Sequence, residues 1–249
     1  MLAARIFMGS VLLLWAAASA AQQGGDTQAQ ILYAYQAEDT NSLVNLIQDL
    51  TTQVKARADD AALRYHLAHA QYRRGLLAGS ADTLAAEAAF ADCIDQLKPL
   101  LSHEVKSAEA LVLQSACYGA QANYKKKLEA VLLRARAEER LNTALKVAPR
   151  NPRAVYLSSM EHLSQAQPGT LEQQRAFAQL QLAAQLFEAS SGTSTDMPCW
   201  GHAEAYLALG RELEARGDSL GARNWIEKSL IAAPDYKAAQ RQMTRLVRR

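Results

Sequence analysis

The chain has 249 residues, of which 49% are hydrophobic and 6% aromatic, and a formal charge of +2. That length buries a sizeable core as one domain or one repeat array, while the near-neutral balance excludes bulk nucleic-acid binding, which needs a basic stripe to neutralise phosphates. Ala, Leu, Gln, Glu and Arg dominate and β-branched runs are rare, so an all-α fold is expected.

Residues 1–20 stand apart from that fold. Arg5 precedes the apolar run "IFMGSVLLLWAAA", and Ala18-Ser19-Ala20 offers a small-x-small cleavage site, the pattern of a secretory signal peptide. An uncleaved anchor is the alternative reading, but the run is shorter than the ~20 residues a spanning helix needs. The junction carries no cysteine, which argues against a lipoprotein. Removing Arg5 from the 27 basic residues leaves 26 against 25 acidic ones. An exported chain of this kind is periplasmic or secreted.

Residues 21–58 read as an N-terminal helical hairpin, "TQAQILYAYQA" followed by "DTNSLVNLIQDLTTQVKA". Residues 59–249 then read as a helical array. Asp59 or Asp60 caps "AALRYHLAHAQYRRG", whose partner is "ADTLAAEAAFADCIDQLKPL". "SHEVKSAEALVLQSACYGAQ" begins the next pair. The stretch "YKKKLEAVLLRARAEER" is charged on one side and apolar on the other; a solvated helix is the common reading and a docking surface the rarer one. Ala137, Leu141, Ala144 and Pro149 close a second helix, and Asn151-Pro152 starts a new one, since proline suits the first helical turn. "QPGT" at 167–170 breaks the chain before "LEQQRAFAQLQLAAQLFEA", and Ser190–Pro198 is a polar linker.

The most patterned stretch is Trp200–Tyr236. Tyr206, Leu209, Gly210 and Leu213 in one helix are followed by Ala222 and Ile226 in a second, then by Pro234. This spacing matches a helix–turn–helix repeat in which small residues mark the close approach of the two helices. Gly217-Asp218 falls at the turn. "DYKAAQRQMTRLVRR" is a terminal helix able to cover the stack, with basic residues placed favourably at a helix C-terminus.

On these residues the chain resembles a tetratricopeptide-repeat (TPR) protein. The wider arrangement of "CYGAQ", "ALKVAPRNPRAVYL", "PCWGHAEAYLALGRELEARGD" and "SLIAAPDY" is similar to a group of bacterial exported TPR proteins of largely undefined role. In that group the helix after the "NPRA" segment is often followed by an aromatic, glycine-rich loop; here that place holds "QAQPGTLEQQ". The resemblance implies stacked antiparallel hairpins wound into a right-handed superhelix, an α-solenoid.

Candidate chemistry is sparse. His66 and His69 lie three apart on one helix, but two histidines without a third ligand do not make a zinc site. No nucleophile elbow and no phosphate loop occurs, and no histidine beside Cys117 lowers its pKa. The expectation is therefore no enzyme, no metal and no cofactor. The three cysteines are expected as buried small hydrophobes. For Cys93 and Cys117, about four residues before and thirteen after a simple bend, the heights differ by roughly 13 Å, outside disulfide reach.

Function is then expected from surface shape. The first helix of each pair lines the inner wall of such a stack. Tyr65, His69, Tyr72, Arg153, Tyr156, Met160 and Arg211 occupy outward-facing positions on those helices, and Tyr, Met and Arg are enriched in interfaces. The competing reading has Tyr65 and Tyr156 packing between repeats. The expected partner is a protein or peptide, with no nucleic acid and no membrane-embedded mature chain. The alternative is a periplasmic accessory protein that holds a small apolar ligand, or assists a transport system, in a closed apolar cavity.

Overall fold

A computed structural model describes residues 26–101, 107–190 and 198–248. The signal-like residues 1–20 and most of the linker, 191–197, lie outside the described residues. No strand occurs among the described residues. The helices are α1 (26–36), α2 (Thr40–Ala56), α3 (Ala61–Ala78), α4 (Thr83–Leu97), α5 (Ala108–Ala122) and α6 (Lys127–Val147). They continue with α7 (Pro152–Gln165), α8 (Leu171–Ser190), α9 (His202–Ala215), α10 (Ser219–Ala232) and α11 (Lys237–Val247).

Local chemistry sets most of the boundaries. Asp39, Asp60, Asp82, Ser107, Asn151 and Asp218 each accept a backbone N–H from the first turn of the helix they precede. Such a cap satisfies a donor that the helix itself leaves unpaired. Gly217, at φ +85, supplies the left-handed residue that turns α9 into α10.

Successive helices pair as antiparallel hairpins, α3 with α4, α5 with α6, α7 with α8 and α9 with α10. One device recurs in two of them. A Cβ added at Gly210 would lie 2.5 Å from Cγ1 of Ile226, and one added at Gly75 would lie 2.6 Å from the Phe90 ring. In both hairpins a glycine lets the partner helix approach so closely that a large side chain fills the space above it. Leu209, Ala222 and Ile226 are fully buried, Tyr206 nearly so, Leu213 is half-buried, and Pro234 is exposed just after the end of α10. Tyr206 donates its hydroxyl to Glu188 of α8 at 2.8 Å, tying this repeat to the preceding one.

The cysteines correct the expectation. Cys93 and Cys117 form a disulfide, with Cα atoms 6.4 Å apart, and Cys199 is free and exposed rather than buried. The connection between α4 and α5 is not a simple bend. It contains a 3-10 turn, Pro99–Leu101, and the chain enters α5 only at Ala108. Cys117 therefore sits nine residues after the first residue of its helix instead of thirteen after the bend, which reduces the offset in height along the two helices.

The array also closes upon itself. α1 meets the C-terminal helices: Arg241 of α11 forms a two-pronged ion pair with Glu38 at 2.5 and 2.9 Å, and Tyr35 packs against Tyr236 with ring centroids 6.2 Å apart. The Cys199 amide donates to the Gln28 side chain at 3.0 Å. The first and last elements of the chain thus share one interface.

Candidate interaction surface

The inner wall is built from α3, α7 and α9, and its centre is occupied by the chain itself. The segment Pro198–Gly201 enters α9 through Gly201, whose φ of +101 suits a residue without a side chain. This turn directs Trp200 into the middle of the wall. Its indole N–H donates to the Tyr65 hydroxyl at 2.9 Å, and its ring lies 5.8 Å from His69 and 6.4 Å from Tyr72. The guanidiniums of Arg73 and Arg153 stand 5.6 and 5.7 Å from the indole centroid, within cation–π range.

Both arginines are paired. Arg73 and Glu204 form an ion pair at 2.6 Å, their side chains 3% and 9% exposed. Nε of Arg73 also donates to Nε2 of His69 at 3.0 Å, and its guanidinium lies 4.3 Å over the Tyr35 ring. Burial opposes the Arg73 charge, but Glu204 and the surrounding tyrosines hold its pKa above the usual value. Arg153 pairs with Glu109 of α5 at 3.1 Å, and Asn151 donates to the same carboxylate at 2.6 Å. Burial, reinforced by the neighbouring Arg73 charge, drives the His69 pKa well down, and burial pushes that of Tyr72 up to about 12. The Tyr65 and Tyr156 hydroxyls are raised by the same cause. The wall thus pairs two guanidiniums with two carboxylates among aromatic rings.

The structure therefore brings Tyr65, His69, Tyr72 and Arg153 together, with Tyr156 beside them, but not on an open wall. Tyr65, His69 and Arg153 are buried, and Tyr72 and Tyr156 are half-buried, because Trp200 and α1 lie across them. Met160 remains exposed near the C-terminal end of α7, and Arg211 is exposed on α9, apart from this cluster. His69 has its Nε2 engaged by a guanidinium, which leaves it unsuited to a cation. No group of three or more metal-ligating side chains gathers among the described residues. Sequence reasoning passed over Arg73, Trp200, Glu204 and Tyr35. The one available signal was a tryptophan placed between Cys199 and a helix-opening glycine.

Open space remains beside the filled centre. A cleft of about 380 Å³ lies where the α5–α6 hairpin meets α7. Tyr72 and Met160 line it, with Ser115, Ser158, Glu138 and Glu161 as polar groups and Ala116, Gly119 and Ala120 as small ones. A Cβ at Gly119 would meet only the Cβ of Ala137, at 3.9 Å. A second, shallower recess of about 810 Å³ runs along α7 and α8, lined by Ala166, Ala176, Ala178 and Leu182 with Glu172 and Arg175.

No protein-family model and no curated protein sequence matches this chain. Among solved structures, a thermophilic TPR protein from Thermus thermophilus is similar, with a TM-score of 0.62 over 92% of this chain and 100% of that chain, at 17% identity. The fold is thus an all-helical stack of hairpins like that of a TPR protein.

Proposed function

We propose that the protein is an exported, non-catalytic adaptor that holds a protein or peptide segment in the cleft between α5, α6 and α7. The carrying observation is the contrast between the two parts of the inner surface. Its centre is filled by Trp200 and neutralised by two ion pairs, whereas the cleft is open and mixes a tyrosine, a methionine, hydroxyls and carboxylates over a floor of small residues. Small floor residues let a backbone approach closely, and Tyr and Met supply contact area with adaptable chemistry. A structural use of the centre accords with this reading: Arg73 bonds His69 and Glu204 there, and Arg153 bonds Glu109.

Export is supported by the signal-like residues 1–20 and by the Cys93–Cys117 disulfide, since disulfides persist in oxidising compartments. N-terminal sequencing of exported protein is expected to begin at Ala21 or Gln22; recovery of intact Met1 in a membrane fraction overturns this.

The adaptor reading is tested by peptide display on the purified protein. Selected peptides are expected to bind the wild type and to lose binding in Gly119→Lys, which fills the cleft without crowding its neighbours. Arg211→Ala, remote from the cleft, is expected to bind normally. Peptides that bind Gly119→Lys as well as wild type refute the cleft. The alternative, a small apolar ligand, draws on the alanine- and leucine-lined recess along α8. It predicts fluorescence enhancement of an apolar dye that Leu182→Glu abolishes.

A further inference from the structure

The second helices of the four hairpins share one feature at their starts. Leu84 in α4, Leu128 in α6, Leu171 in α8 and Leu220 in α10 each stand in the first turn, and all are more than half exposed. Only in α6 does the apolar surface continue. Val131 and Leu132 are 59% and 54% exposed, and Ala135 is exposed one turn further on. Positions i, i+3, i+4 and i+7 fall on one helix face, so Leu128, Val131, Leu132 and Ala135 form a stripe. The matching positions are Gln174 and Arg175 in α8, and Arg223 and Asn224 in α10. The stacking of hairpins therefore does not require apolar residues there. α6 already buries Ala130, Leu133 and Leu141 on the side turned to α5, so its outer stripe is a second apolar face.

Cations predominate alongside the stripe itself. Lys126, Lys127, Arg134 and Arg136 are exposed, and Glu129 is paired with Lys125 at 3.3 Å; the acids Glu138 and Glu139 lie one turn beyond Ala135, and Asp82 caps the helix that carries Leu84. Lys125 also bonds Glu87, one turn beyond Leu84, so the starts of α4 and α6 stand side by side at one edge of the array. Leu84 and Leu128, 80% and 76% exposed, project from that edge together.

We propose that this edge, the Leu128–Ala135 stripe with Leu84, docks on an anionic lipid surface. Leucines flanked by lysines and arginines suit the boundary between headgroups and acyl chains: the apolar tips enter and the long cationic side chains reach anionic headgroups. A protein partner needs pockets for its anchoring side chains, whereas the stripe is a ridge on the outside of an outer helix, and lipid deforms around a ridge.

The test uses the full chain carrying Cys199→Ser and Ala135→Cys, labelled at the introduced thiol with an environment-sensitive fluorophore. The Cys93–Cys117 pair takes no label, and the dye reports on α6 whatever other segments do. A blue shift is expected on vesicles of phosphatidylglycerol and phosphatidylcholine, and not on phosphatidylcholine alone. Val131→Gln with Leu132→Gln, polar residues like those that the sister helix α8 carries at the matching positions, is expected to weaken partition roughly tenfold with an unchanged circular dichroism spectrum. Lys127→Glu with Arg134→Glu is expected to abolish the preference for anionic vesicles. No shift on anionic vesicles, or an equal shift on neutral ones, overturns the proposal. So does a shift without vesicles accompanied by a doubled mass in light scattering, which assigns the stripe to a second copy. A shift produced by an acidic amphipathic peptide and not by vesicles assigns it to a protein partner instead.

Discussion

Glu204→Gln tests whether the buried ion pair holds the closed array together. Arg73 of α3 and Glu204 of α9 are 131 residues apart in sequence, and their side chains are 3% and 9% exposed at a separation of 2.6 Å. Removing one partner of such a pair strands the other charge at a cost of about 3–5 kcal/mol. Glutamine has a single acceptor oxygen where Glu204 uses two, one for Arg73 and one for the Gly201 amide at 3.1 Å, so it removes the charge together with one of the two hydrogen bonds. The remaining acceptor and the unchanged side-chain volume keep the expected loss near the lower limit, about 3 kcal/mol. Glu204→Ala also removes the helix cap, worth about 1 kcal/mol, and is expected near the upper limit. In a chain of this size each kcal/mol lowers Tm by roughly 2–4 °C, so the glutamine variant is expected to melt roughly 6–12 °C lower. The double variant Arg73→Met, Glu204→Leu is expected to recover the part of the loss that comes from the stranded charge, and to stay below wild type because the Gly201 amide and the His69 ring lose their partners. Urea unfolding at pH 7, followed by circular dichroism and by tryptophan fluorescence, supplies the measurement. A glutamine variant within about 0.5 kcal/mol of wild type refutes the reasoning and shows that the Arg73 charge is stabilised without Glu204.

Three further outcomes follow from the packing. Gly210→Leu is expected to destabilise by roughly 1–3 kcal/mol and to expose the α9–α10 hairpin to protease, because even the added Cβ meets Ile226 at 2.5 Å; unchanged melting refutes the close approach. Cys93→Ala with Cys117→Ala opens a loop spanning 24 residues and is expected to cost about 3 kcal/mol, read as a lowered urea midpoint; no loss on reduction or substitution refutes it. Acidification is expected to destabilise through His69, whose folded pKa is depressed by burial. The unfolded chain takes up that proton below about pH 6.5 while the folded chain does not, so stability present above that pH declines at up to about 1.4 kcal/mol per unit below it. His69→Gln is expected to lessen the decline between about pH 6.5 and 5.5, with a remainder from His66 and His202, whose pKa values burial also lowers, and an unchanged slope refutes the assignment. The bonded carboxylates Glu38, Asp39 and Glu188 have lowered pKa values and act only in a separate, more acidic window.

The sequence by itself determined what depends on neighbours within one or two helices. The Asp60 and Asn151 caps, the Gly217 turn and the spacing of Gly210 with Ala222 and Ile226 are interactions of this range, and each was legible as a pattern. The inner-surface residues were chosen from the same pattern, and here it misled. Periodicity tells which face of a helix turns away from its hairpin partner; it does not tell whether a distant segment covers that face. Tyr65, His69 and Arg153 were chosen as facing away from their hairpins, yet they are buried, and Trp200, 135 residues beyond Tyr65, packs against them. The disulfide was missed for a related reason, since the start of α5 at Ala108, well after the end of α4, places Cys117 lower in its helix than a simple bend allows. The reverse holds for Leu128, Val131 and Leu132. Their letters read as core, and only the stacking of α6 against α5, with nothing laid over its outer side among the described residues, left them exposed. Contacts between elements far apart in the chain depend on how the hairpins stack and where the ends meet, and those are properties of the whole array that no local window contains.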